Sequence, residues 1–116
     1  MSDESLFDRS ALLDNLDNDL DLLRLMAKTF VDDVPRLLTE LRTALRTGDA
    51  PAAARATHNL KGSAANFGAA RLVTHLAAME QACRRGELAE ASAAAKDAER
   101  LVAVLAVELR REFSAH

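Results

Sequence analysis

Residues 20–48 read LDLLRLMAKTFVDDVPRLLTELRTALRTG. Their apolar positions fall at Leu20, Leu23, Met26, Phe30, Val34, Leu37, Leu41 and Leu45. Steps of three and four residues follow the 3.6-residue period of a helix, not the alternation of a strand. Asn18 or Asp19 is placed to cap its start through a side-chain oxygen, and Gly48 marks its end. Pro35 falls inside the run and removes one backbone donor, so a kink or a split is expected there. The apolar period stays in register past the proline, which favours a kink.

The rest of the chain repeats this pattern on both sides. Upstream, Asp8 caps a short helix to about residue 16, with Leu12, Leu13 and Leu16 on one face. Downstream, Gly48-Asp49-Ala50-Pro51 is a stop followed by a start, with Asp49 as cap and Pro51 in the first turn. A third helix is expected to about residue 66 or 67, before Gly68. A fourth spans about 69 to 85, carrying Leu72, Leu76, Met79 and Cys83, and Gly86 stops it. A fifth spans about 87 to 113, with Ala91, Ala94, Ala98, Leu101, Leu105 and Leu109 in register. Four longer helices with short connections predict an all-α, antiparallel up-down four-helix bundle. The short additional N-terminal helix covers one end.

Composition agrees. The chain has 116 residues, 3% aromatics, 4 Gly, 2 Pro, no Trp and no Tyr, which suits one helical domain over residues 1–116, with 1–7 as a flexible leader. The single Cys83 cannot form an internal disulfide and reads as a small buried hydrophobe in a reducing, cytoplasmic setting. The acidic N-terminus has no apolar run of the signal-peptide kind. No apolar stretch approaches the roughly 20 residues of a membrane span. Net charge is −3 but uneven: residues 36–86 hold eight bases and three acids. A positive centre suits an anionic ligand or acidic partner. Nucleic acid is disfavoured, because the bases are dispersed and no aromatics interleave with them.

Residues 53–65, AARATHNLKGSAA, carry the chemistry. At 100° per residue, Ala53, Ala56, Leu60, Ala64 and Phe67 share an apolar face. His58 lies about 200° from both Ala56 and Leu60, so it points to solvent. Its helical neighbours Ala54, Gly62 and Ala65 are small, and Arg55 and Lys61 are basic. A neutral imidazole is a nucleophile at physiological pH, and flanking cations would stabilise negative charge placed on it. Gly62 costs its helix about 1 kcal/mol relative to Ala, which suggests a need for room beside the histidine. An ordinary surface histidine is the plain alternative. His75 sits at the edge of an apolar stripe and His116 at the chain end. No two histidines share i,i+4 spacing and no Glu-x-x-His occurs, so no metal site is expected. No glycine-rich phosphate loop or serine-nucleophile motif is present.

The run His58-Asn59-Leu60-Lys61-Gly62-Ser63-Ala64, then Phe67-Gly68-Ala69 and Leu72, closely resembles the signature of histidine phosphotransfer (HPt) domains. Phe30, residues 37–45, Met79-Glu80 and Arg84-Arg85-Gly86 fit the same pattern, so the resemblance covers most of the chain. It implies that His58 accepts a phosphoryl group on Nε2 from a receiver-domain aspartate and passes it to another receiver. It implies that Lys61 helps neutralise the phosphate, that Gly62 leaves space for the receiver, and that Ser63 supports the phosphate or its approach. Such domains often carry a Gln on the next helix that bonds the other ring nitrogen. Glu80 occupies that position, where a carboxylate would orient the ring and raise its basicity, and Arg84 one turn on would offset its charge.

The resemblance implies a phosphoryl carrier without kinase activity of its own and without a cofactor, the Mg²⁺ residing in the partner receiver. Partners would be receiver domains of response regulators or hybrid sensor kinases, with no nucleic acid and no membrane. Docking would use Ala54, Gly62 and Ala65 with Arg55 and Lys61, and a monomer is expected. The first rival is the phosphoacceptor module of a sensor histidine kinase. It would have an acid after the histidine and a proline soon after, where this chain has Asn59 and Gly62-Ser63. The second is a receiver-docking module without phosphotransfer, whose sign would be a missing histidine or lysine.

Overall fold

Aspartates open the first three helices. Asp8, Asp19 and Asp49 accept from the backbone N–H of Ala11, Leu22 and Ala52 at 3.0–3.1 Å, each satisfying an orphan donor of a first turn. The structure, a computed structural model, describes residue 6 and residues 8–113. The helices are α1 (Arg9–Asn15), α2 (Leu20–Thr47), α3 (Ala50–Asn66), α4 (Ala70–Arg84) and α5 (Leu88–Phe113). Of the two expected caps of α2, Asp19 takes the role. Asn18 instead adopts φ +61, next to Asp17 at φ +54, a left-handed turn that Asp and Asn tolerate better than other side chains.

Pro35 does not divide α2, which runs unbroken for 28 residues. Pro35 is exposed, so the ring is carried outside the core. A helix of 28 residues is about 42 Å long, and the long axis of the molecule is 42 Å. Thus α2 sets the length of the bundle.

The helices pack in the cyclic order α2, α3, α4, α5, with α5 closing back on α2. The Arg42–Glu99 pair, 2.6 Å, ties α2 to α5. The result is the expected antiparallel four-helix bundle plus a short N-terminal helix. Helix α1 lies by the C-terminal end of α5, where Arg9 pairs with Glu112 at 3.2 Å and sits over the Phe113 ring. The core runs the length of the bundle through Leu23, Phe30, Leu41, Leu60, Leu72, Leu76, Leu101, Leu105 and Leu109. Phe30 meets Phe67 edge-on with centroids 5.5 Å apart, which pins the C-terminal end of α3 onto α2. Of the leader expected to be flexible, only Leu6 is described: it is buried, and its N–H donates to Glu108. The rest of that expectation, like that for His116, lies outside the described residues.

Candidate functional site

The alanines of α3 decide how the site is built. Ala53, Ala56 and Ala64 are buried with Leu60, so α3 meets its neighbours through small side chains and comes close to both α2 and α4. Thr57 is also fully buried, its hydroxyl donating to the Ala53 carbonyl at 2.7 Å. The next residue, His58, is on the outward side, its side chain 60% exposed. Close packing of α3 on α4 brings this imidazole within reach of Glu80, which is buried at 3% exposure.

Glu80 is the hub of the site. His58 Nδ1 lies 3.2 Å from Glu80 Oε2. Arg84 donates to the same oxygen from Nε at 3.1 Å and from Nη2 at 2.6 Å. Lys61 Nζ sits 2.7 Å from Oε1 as an ion pair. Burial alone would raise the Glu80 carboxyl pKa. The contacts and charges of Lys61 and Arg84 outweigh it and bring the value down to about 2. At neutral pH Glu80 is therefore an anion with acceptor sites only. The His58–Glu80 hydrogen bond then requires the proton on Nδ1, and the lone pair of the neutral ring is left on the exposed Nε2.

A groove of about 670 Å³ runs along the N-terminal half of α3 beside this ring, lined by Pro51, Ala54, Arg55, His58, Cys83 and Arg84 among others. Arg55 is exposed and forms no ion pair with any described residue. Ala65 is exposed beyond the histidine, whereas Ala54, expected on the docking surface, is only 6% exposed. The wheel of α3 places Ala54 near His58. Helix α4 packs over that flank, so Ala54 forms groove floor rather than outer surface. Cys83 is buried as expected. Burial pushes its thiol pKa up and the charge of Glu80 adds to this, against a lowering by Thr57.

Gly62 is exposed in mid-helix, and a Cβ placed on it meets no atom within 4 Å. Nothing inside the described chain calls for glycine there. Ser63 is half-buried and its hydroxyl makes no hydrogen bond with a described residue; at five residues from His58 it lies about 140° around the helix. A larger cleft, about 800 Å³, lies by α1 and the ends of α4 and α5 and includes none of the candidate residues. Sequence reasoning missed Thr57. Its signal was present, a small β-branched residue one step off the alanine face.

An antiparallel four-helix bundle that sets an exposed imidazole, His58, over a buried, ion-paired carboxylate defines a class of helical protein that presents a histidine to solvent from a bundle helix. The Hpt domain family matches residues 25–115, and the chain belongs to that family, whose members are phosphocarrier modules of phosphorelays. Its fold is shared with histidine-containing phosphotransfer protein B (HptB) from Pseudomonas aeruginosa PAO1, at 30% identity and a TM-score of 0.86, covering 98% of this chain and 99% of that one. No curated protein sequence matches the chain. No helix among the described residues is long and apolar enough to cross a membrane.

Proposed function

We propose that this protein is a phosphorelay intermediate in which His58 accepts a phosphoryl group on Nε2 from a receiver-domain aspartate and hands it to a second receiver. The observation that carries this reading is the His58–Glu80 contact. With Glu80 ionised this contact favours the proton on Nδ1, and Nε2 would then attack phosphorus without first losing one. Such a nucleophile needs no general base. Lys61 and Arg84, held within 2.7 Å of Glu80, stand ready to share their charge with a phosphoryl group, which carries about −1.5 to −2 at neutral pH. The open space at Gly62 suits the approach of another protein's active site, with Ala65 and Arg55 beside it and Ser63 further round. The receiver would supply Mg²⁺ and most of the catalysis, so the chain acts as carrier rather than kinase. A buried Cys83 without a disulfide suits a cytoplasmic setting, and a monomer suffices for the chemistry.

The test is to incubate the protein with a phosphorylated receiver and Mg²⁺ and follow its intact mass, with a His58→Gln variant alongside. One acid-labile, alkali-stable phosphoryl group, absent from the variant, is the expected result. Binding of receivers without any mass gain would favour a docking-only module. Labelling from ATP alone would favour a kinase phosphoacceptor module.

A further inference from the structure

Among the described residues, the non-glycine positions of positive φ are Asp17 at +54 and Asn18 at +61. Both lie in residues 16–19, the turn that joins α1 to α2. Left-handed backbone crowds the Cβ of every residue but glycine, and Asp and Asn only tolerate it. The turn ends α1 by a Schellman closure: the Asn18 N–H donates to the Leu13 carbonyl at 2.7 Å and the Asp17 N–H to the Asp14 carbonyl at 3.2 Å. Aspartate stands where such a closure usually has glycine. We propose that this turn is the hinge of a domain exchange, in which two copies of the chain swap α1 and each seats it on the other's bundle end. The inference is independent of the reading of His58.

Straightening the turn relieves the strain. With right-handed φ at both residues, α1 and α2 run as one helix from Arg9 to Thr47. The turn's backbone hydrogen bonds are then replaced by the i→i−4 bonds of a helix, so no donor is orphaned. The cost is apolar surface. Leu6 and Leu12 are buried while the turn is closed, and Leu13 and Leu16 are partly so. A straightened helix lifts them off the end of α5 and into water. A second copy in the same open state restores each contact in trans.

The contacts themselves permit this. Ahead of the hinge, the Leu6 N–H donates to Glu108 at 3.0 Å, Arg9 pairs with Glu112 at 3.2 Å, and the Arg9 guanidinium lies 5.7 Å from the centre of the Phe113 ring. Each joins a residue before the turn to one after it, and none depends on which copy supplies α1. The exchange is therefore neutral in these contacts and favourable in the hinge, and it closes about a two-fold axis. Short hinges under strain invite such swapping. The seat is also easily left, because a cleft of about 800 Å³ opens between α1 and the ends of α4 and α5. That cleft includes none of the residues around His58, so the closed and the exchanged forms both present the imidazole.

The experiment unfolds the full chain in urea, refolds it at low and at high concentration, and reads the oligomeric state by size-exclusion chromatography with light scattering. A dimer that forms at high concentration and reverts slowly on dilution is the expected result. Asn18→Gly relaxes the closed turn and should lower the dimer-to-monomer ratio about tenfold, whereas Asn18→Ala, which suits a helix and not left-handed backbone, should raise it by a similar factor. A mixture of Arg9→Glu chains with Glu112→Arg chains then identifies the exchange. Within either chain, positions 9 and 112 carry like charges. Only α1 exchange between the two sets opposite charges together at both seats. The mixed dimer should outnumber either chain's own dimer about fivefold, against about twofold for random pairing. This mixture stands if an Asn18 variant does not fold. A wild-type chain that stays monomeric at every concentration overturns the proposal. So does a dimer whose charge-reversed chains pair at random, since its α1 stays on its own bundle, and so does one indifferent to Gly and Ala at position 18.

Discussion

Glu80 holds three partners with one carboxylate, and the arrangement has a measurable cost at low pH. Its pKa of about 2, below an ordinary 4.5, means that the folded state binds the proton more weakly than the unfolded chain. The associated stability is fully present above the unfolded value and is lost as pH falls from about 5 toward 2. Taken at face value the shift corresponds to at most about 3 kcal/mol, and Arg84, whose side chain is 57% exposed, delivers its share through solvent and so reduces it. Urea unfolding of wild type and Glu80→Gln between pH 7 and pH 3 should therefore converge as the pH drops, the wild type losing more. Parallel curves would contradict the ion-paired hub. The sequence told less here than elsewhere. A helical wheel gives a side chain's bearing about its own axis, so the exposure of His58 was legible. Which residue of α4 meets it depends on how α4 is rotated against α3. Position 80 was reached through family resemblance and its pairing with Arg84 through i,i+4 spacing, whereas the reach of Lys61 across from α3 was not readable.

Helix α3 tolerates a glycine that its own packing does not need. Gly62 has helical backbone and open space where a side chain would be, so Gly62→Ala should stabilise the fold by about 0.5–1 kcal/mol. Calorimetry should register this as a rise in Tm of a few degrees. A large residue at the same position, Gly62→Phe, should leave the helical circular dichroism intact while sharply slowing transfer from a receiver. Normal transfer by that variant would remove the clearance argument. At this scale the sequence was most informative. Capping aspartates, Gly48, Gly68 and Gly86 set the helix ends within a residue or two, because the signals are local and backbone-encoded. The misplacements were rotational. On α2 the buried stripe keeps the expected Leu23, Phe30, Val34, Leu37 and Leu41 and adds Ala27, Leu38 and Ala44, while Leu20, Met26 and Leu45 are only partly buried. Small residues can face a close neighbour that a hydrophobicity pattern does not weigh.

Across the whole molecule, charge is sorted by helix. The chain carries −3 in total, yet α3 and α4 together hold Arg55, Lys61, Arg71 and Arg84 against Glu80 alone. These two helices adjoin, so Arg55, Lys61 and Arg84 gather on the face where His58 stands, while Arg71 lines the cleft by α1 and Arg36 and Arg42 of α2 pair with Glu40 and Glu99. Short loops made this foreseeable, since consecutive helices pack side by side. Low-dielectric walls and like charges focus the field over such a face, and encounter with an acidic partner then outpaces neutral diffusion. Receiver association should slow as salt is raised, because the Debye length shrinks from about 10 Å at 0.1 M to about 3 Å at 1 M. Arg55 is the cleanest probe, being exposed, outside the Glu80 cluster and without an ion pair among the described residues. Stopped-flow association of Arg55→Ala should show a lower rate at low salt and a shallower salt slope, with dissociation little changed, since rim charges act on encounter more than on residence. An unchanged slope would mean that the partner meets His58 through shape and small residues, and that the basic face serves only to hold the phosphoryl charge.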